Sequence, residues 1–159
     1  MKKKKFTKIR ENITEVEYQK LLTYLNGKED LTTNTKNNLR RTFILLYFTG
    51  MRVNEVKQLK VKDINTIFEK EELIIVTHKT RKERKLFFSK EAIKQIKKHF
   101  VFNDNSKDED FIITTKGNPL KTPSSSTFIA KVNSFIQEVL GHRYSSHSFR
   151  AGIITDMSK

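Results

Sequence analysis

The sequence contains no cysteine, so disulfides and thiolate metal ligands are excluded. Its four histidines, His78, His99, His142 and His147, fall at no ligand spacing such as HExxH. Chemistry here is expected to proceed without a protein-bound metal. No apolar run approaches the roughly 18 residues that a membrane span needs. The opening MKKKKFTKIREN is basic but lacks the apolar segment of a secretory signal. These absences predict a soluble, intracellular protein with no membrane partner. Acidic residues are also scarce: 18 Asp and Glu stand against 32 Lys and Arg, a formal net charge of +14. An excess of that size goes beyond ordinary surface solvation and points to a polyanion, with nucleic acid ahead of an anionic membrane surface.

A chain of 159 residues suits one domain with a real core. Residues 1–13, with the Lys2 to Lys5 run, read as a solvated basic arm, and 14–159 as the domain. Thr14 and Glu17 make a capping box, after which Val16, Leu21, Leu22 and Leu25 recur at helical spacing until Asn26-Gly27. From about Thr35 to Thr49 the apolar residues Leu39, Phe43, Ile44, Leu46, Tyr47 and Phe48 predict a buried helix closed by Gly50. A short helix through Val53, Val56 and Leu59 follows. LIIVTHKTRKERKLFF then gives two apolar runs, Leu73 to Thr77 and Leu86 to Phe88, around a charged turn, which is a β-hairpin with a basic tip. Ser89 caps a helix through Ala92, Ile93 and Ile96; FIIT (111–114) is extended, and KGNP is a turn. Phe128, Ile129, Val132, Phe135, Ile136, Val139 and Leu140 mark a last long amphipathic helix ended by Gly141. With no internal repeat, the fold class is mainly α with a small antiparallel β-sheet (α+β).

Three basic loci stand apart from the general charge. Arg52 opens a helix with Glu55 three residues on, and its apolar neighbours Met51 and Val53 predict a half-buried guanidinium paired with Glu55. Lys79, Arg81, Lys82 and Arg84 crowd the hairpin tip, and His147 and Arg150 share what reads as the first turn of a helix in SSHSFRAG. Singly, each has a plain structural account: a pinned turn, a solvated hairpin, a surface helix start. Together they match what phosphodiester chemistry without metal requires. Two arginines can hold nonbridging oxygens, a histidine can move a proton near neutral pH, and a lysine on a hairpin can protonate a leaving oxygen.

These segments resemble the catalytic domain of the tyrosine recombinases, the phage integrase family. TGMRVNEVKQLKVKDI looks like the first box, T-G-[LM]-R-x-x-E with a later Leu and Asp, carried here by Thr49, Gly50, Arg52, Glu55, Leu59 and Asp63. IIVTHKTRKERKLFF is similar to the family hairpin, and HSFR to the second box, H-x-L-R. The likeness runs from about Thr14 to Lys159. It implies the recombinase catalytic-domain fold and cleavage of one DNA strand at a time by a tyrosine, leaving a 3′-phosphotyrosine and a free 5′-hydroxyl. By the same resemblance Arg52 and Arg150 clamp the phosphate, Lys79 protonates the 5′-oxygen, His147 assists proton transfer and Glu55 supports Arg52. Arg81, Lys82 and Arg84 are expected to touch DNA. The bond energy is kept in the phosphotyrosine, so no cofactor is implied. The implied partners are double-stranded DNA and further copies of the chain, as a tetramer on DNA; a residue usage rich in Lys, Asn, Ile and Phe suits a bacterial cytoplasm, a phage-infected host, an organelle or a mobile element without choosing among them.

The sequence departs from the family pattern in three ways. Phe149 stands where Leu is usual, and Ala151-Gly152 where His-Ser or His-Thr is frequent. The family nucleophile follows the second box by some tens of residues, and nine residues follow Arg150. Tyr18, Tyr24, Tyr47 and Tyr144 precede that box, so no nucleophile is assigned, and a catalytic domain truncated at its C-terminus is expected, without the helical DNA-clamping domain that commonly precedes it. The alternative expectation is a catalytically inactive DNA-binding remnant of an integrase.

Overall fold

In a computed structural model that describes residues 12–76, 81–102 and 105–149, helix α1 (Glu15–Gly27) starts where the capping box predicts. The Glu17 carboxylate accepts the Thr14 backbone N–H at 3.0 Å. Its core face differs from the expected one: Tyr18, Leu21 and Leu25 are buried, whereas Val16 is 63% exposed. Val16 lies five residues from Leu21, about 140° of helical rotation, which turns it away from the core.

Helix α2 (Thr33–Thr49) is the centre of the molecule, packing on α1 and the later helices α3 and α5. Thr32 caps it by accepting the Thr35 N–H at 3.1 Å, and Leu39, Phe43, Ile44, Leu45 and Leu46 are buried along it. The short helix expected after Gly50 is two elements, α3 (Val53–Lys57) and α4 (Val61–Lys70), with buried Leu59 between them. Helix α4 is held at its start by the Asp63 carboxylate, which accepts the Lys60 N–H at 2.8 Å, and it buries Val61, Ile64 and Ile67.

Strands β1 (Glu72–Val76) and β2 (Glu83–Phe87) form the expected antiparallel hairpin, in register Ile75 to Arg84 and Val76 to Glu83. Leu73, Ile75 and Leu86 face the core; Ile74, Val76 and Phe87 face outward. Ser89 caps α5 (Lys90–His99) by accepting the Ala92 N–H at 3.1 Å. The 111–114 segment, expected to be extended, joins no sheet and bends at Ile112 and Ile113: Phe111 forms an isolated bridge with Lys60, and Asn38 of α2 brackets Thr114, accepting its N–H at 3.2 Å and donating to its carbonyl at 2.9 Å.

Helix α6 (Ser125–Leu140) ends at Gly141, whose φ is 107°. It buries Phe128, Val132, Phe135 and Ile136, and its Glu138 receives the Tyr24 hydroxyl at 2.6 Å and the Lys28 ammonium at 3.2 Å from the α1 side. The result is mainly helical with one small antiparallel sheet among the described residues. No helix among them is long and apolar enough to cross a membrane.

Candidate functional site

The first box is a tight reversal between α2 and α3. The Thr49 hydroxyl donates to the Leu45 carbonyl at 2.6 Å and accepts the Met51 N–H at 3.0 Å. Gly50 then turns the chain with φ 73° and ψ 17°, its N–H returning to the Leu46 carbonyl at 3.0 Å. A side chain in that left-handed conformation costs roughly 1–2 kcal/mol. Gly50→Ala should therefore lower the urea-derived unfolding free energy by about that amount; an unchanged urea midpoint would refute the turn's role.

Met51 is fully buried and Val53 nearly so, and the two anchors hold Arg52 between them with its side chain exposed. This corrects the expectation of a half-buried guanidinium paired with Glu55. The Glu55 carboxylate is itself buried, and its Oε1 accepts two other donors: the backbone N–H of Arg52 at 2.9 Å and the Arg84 guanidinium, also at 2.9 Å. Glu55 thus fixes the backbone of Arg52 and ties β2 to the same turn, leaving the Arg52 side chain outside. Arg84, expected as a hairpin cation facing DNA, is engaged inward through Nη2, and its buried Nε has no partner. Arg81 and Lys82 are exposed at the hairpin, Arg81 with a left-handed φ of 56°. Lys79 and Arg150 lie outside the described residues.

The second box is built in the same way, an exposed residue among buried anchors. Ser146, Ser148 and Phe149 are buried, and His147 is exposed. The helical turn starts at His147, whose N–H donates to the Ser145 Oγ at 3.2 Å, while the Ser145 N–H donates to the Ser148 Oγ at 3.1 Å. Asn133 of α6 accepts the Ser146 N–H at 2.8 Å, and the Phe149 ring stacks on Phe43 of α2, centroids 6.1 Å apart. Both boxes are therefore mounted on α2, one at its C-terminus and one against its middle. Sequence reasoning missed Asn133, and missed that the serines of SSHS cap one another; their three-residue spacing is the signal that was there to read.

The tyrosines are placed as packing and linking groups. Tyr18 is buried and stacked on Tyr47 at 4.0 Å, and burial above all pushes its phenol up, with Tyr47 and Glu91 adding to the shift. The hydrogen bond to Glu138 raises the Tyr24 phenol. Tyr144 is half-buried at the approach to the second box. Among the described residues no three His, Asp or Glu side chains are grouped to hold a metal ion.

Comparison with known proteins gives one consistent picture. The model of the phage integrase family matches residues 11–159. The crystal structure of XerA recombinase is similar with a TM-score of 0.66 and 14% sequence identity, over 99% of this chain and 53% of that one. XerH site-specific recombinase bound to palindromic difH substrate, a post-cleavage complex, gives 0.62 and 20% over 94% of this chain and 42% of its own. Its pre-cleavage complex with difH substrate gives 0.63 and 20%, over 96% and 44%. The chain spans about half the length of these structures, and at such identities they establish the fold. Comparison with curated protein sequences returned no match.

Proposed function

The chain belongs to the phage integrase family, and from that footing we propose that it serves site-specific DNA recombination as the module that grips the phosphodiester during strand cleavage and rejoining. In the reaction this membership suggests, a tyrosine oxygen attacks phosphorus and the bond to the 5′-oxygen breaks. That oxygen takes up a proton, leaving a 3′-phosphotyrosine and a 5′-hydroxyl, and rejoining is the same step reversed. Arg52 and Arg150 hold the nonbridging oxygens, Lys79 supplies the proton to the leaving oxygen and His147 assists proton transfer. Tyr18 and Tyr24 carry phenols pushed up rather than activated. The attacking tyrosine on this reading comes from other protein sequence, in the same polypeptide or from a partner.

The observation that carries the proposal is the shared construction of the two boxes: Arg52 and His147 are each exposed beside buried anchors, on backbone held by buried hydrogen-bonding groups. Backbone held this way fixes the points from which the two side chains reach a phosphate, a partial preorganisation of the kind that transition-state stabilisation uses. The test is binding of a short fluorescent duplex over a salt series. Affinity should fall steeply with salt, and Arg52→Ala should reduce the slope of log K against log salt by about 0.9, the share of one phosphate contact. A slope unaffected by Arg52→Ala would remove Arg52 from the clamp.

The placement of the tyrosines favours a second reading, a DNA-binding remnant that grips phosphate without cleaving. A duplex nicked next to the cleavage site separates the two. Covalent protein–DNA product, formed when a tyrosine-bearing segment is supplied, supports the recombination module; salt-sensitive retention with no covalent product under the same conditions supports the remnant.

A further inference from the structure

Cations crowd the flank where α2 meets α5, and no acid pairs with them. Lys36, Arg40 and Arg41 lie on α2, half-buried, and Lys94 and Lys98 lie exposed on α5. Among the described residues the carboxylates that form ion pairs take Lys28, Lys60, Lys62, Arg84 and Lys85 instead. The α2 cations are braced by neutral acceptors. The Lys36 ammonium reaches the Asn26 carbonyl at 3.3 Å, and Arg40 donates to the Oδ1 atoms of Asn26 at 2.8 Å and Asn37 at 3.0 Å. Arg41 donates to the Ile112 carbonyl at 2.8 Å and lies over the rings of Phe100 and Phe102, while its buried Nε has no partner. Such bracing fixes where a cation sits and leaves its charge uncancelled.

The crowding registers on the groups themselves. Burial first, then Arg40 and Lys98, hold the His99 imidazole at the end of α5 below its ordinary pKa, although a helix C-terminus favours the charged form. Arg41 is lowered by burial and then by Arg40. The C-termini of α1 and α5 both lie at this flank, but each counts for only about half an elementary negative charge. The acid of α5, Glu91, is in its first turn, where it accepts the Gln95 amide at 3.0 Å. A net positive charge therefore remains. It also lies apart from the two boxes. Arg41 is two residues from Phe43, about 200° of helical rotation, so it faces away from the side on which Phe149 is seated. Arg40 precedes Arg52 by about 18 Å along α2. A duplex lying across the boxes leaves this flank uncovered.

We propose that this flank of α2 and α5 is a second DNA-binding surface, which takes the phosphate backbone of a duplex segment other than the one the two boxes grip. The proposal rests on the DNA-gripping function above for the identity of the polyanion. A duplex offers a negative charge every 1.7 Å or so along its axis, so cations spread over two helices all find partners on it. An acidic protein would have to match them one by one. The braced arginines set the seat, the α5 lysines add phosphate contacts, and the surface reads no base. One chain can then hold two DNA segments at once, which suits a protein that recombines them.

The full chain and its Lys94→Gln/Lys98→Gln variant are titrated to saturation with a dye-labelled duplex of about one helical turn, across a potassium chloride series. The mass of the complex at low salt counts duplexes per chain. Both lysines are exposed and glutamine is a comparable helix former, so Tm should stay at the wild-type value. The expected result is two duplexes per wild-type chain and one per variant chain, with the salt slope of the second event lowered by about 0.9 for each lysine that contacts a phosphate. Should the double variant not fold, each single variant is read in the same way. Two duplexes with unchanged slopes in the variant overturn the proposal. One duplex per wild-type chain, with a slope that responds to Arg52→Ala and not to the lysines, also overturns it and leaves the two-box grip standing. One duplex whose slope responds to the lysines and not to Arg52→Ala supports the flank and fails the two-box grip. A poly-glutamate peptide whose binding is lost in the variant, while the wild type takes a single duplex at the boxes, overturns the DNA assignment in favour of an acidic protein.

Discussion

Phe43→Ala should lower the unfolding free energy by about 3–5 kcal/mol, measured by urea denaturation. Phe43 is fully buried in the middle of α2, with Phe135 of α6 at 5.6 Å and Phe149 of the second box at 6.1 Å between ring centroids. Truncation removes a large apolar surface and leaves a cavity under two elements that cannot both close on it. The loss should be regional as well as global. Amide exchange at Ser146, Ser148 and Phe149 should rise more than exchange in α5, because Phe149 loses the ring it stacks on. Phe43→Leu, which keeps most of the volume, should cost less than about 1.5 kcal/mol. A loss below about 1 kcal/mol for the alanine variant would mean that the second box is not seated on α2 as described.

Glu55→Ala should cost about 3 kcal/mol by the same measurement and should loosen the hairpin. Two contributions add: the N-terminal bond to the Arg52 N–H, worth about 1 kcal/mol, and the pairing with Arg84. Removing one partner of a fully buried pair costs about 3–5 kcal/mol; the Arg84 side chain is 32% exposed, which places this case well below that range. Arg84 Nε already lacks a partner, so the variant leaves the guanidinium with little compensation. Glu55→Gln, which keeps an acceptor for the Arg52 N–H and loses only the charge, should fall between wild type and alanine. The readout that separates this tie from general stability is tryptic cleavage at the hairpin under native conditions, which should quicken in Glu55→Ala and in Arg84→Gln. If both variants are cleaved at the wild-type rate, Glu55 does not couple β2 to the Arg52 turn.

Helix ends were legible in the sequence because they are written in local chemistry. Thr14 with Glu17, Gly50, Ser89 and Gly141 each act on atoms within a few residues of themselves, and each stands where the structure begins or ends an element. Helix α4 was not legible, because its first turn is held by Asp63 reaching back to Lys60, and lysine offers no capping oxygen to mark the start. The partners of Glu55 were half legible. Its bond to Arg52 spans three residues, whereas its bond to Arg84 spans 29 and exists only once the hairpin is packed against α3. Sequence also could not tell which way Arg52 faces: apolar neighbours can bury a residue or anchor it outward, and here Met51 and Val53 anchor it outward.

The central claim is that Arg52 and His147 present one phosphate-gripping surface, and a crystal structure of the chain with a short DNA duplex tests it most directly. The account predicts one backbone phosphate within hydrogen-bonding distance of both the Arg52 guanidinium and the His147 imidazole, with the duplex lying across the two boxes. A duplex bound to another face, with Arg52 and His147 turned to solvent, would contradict it.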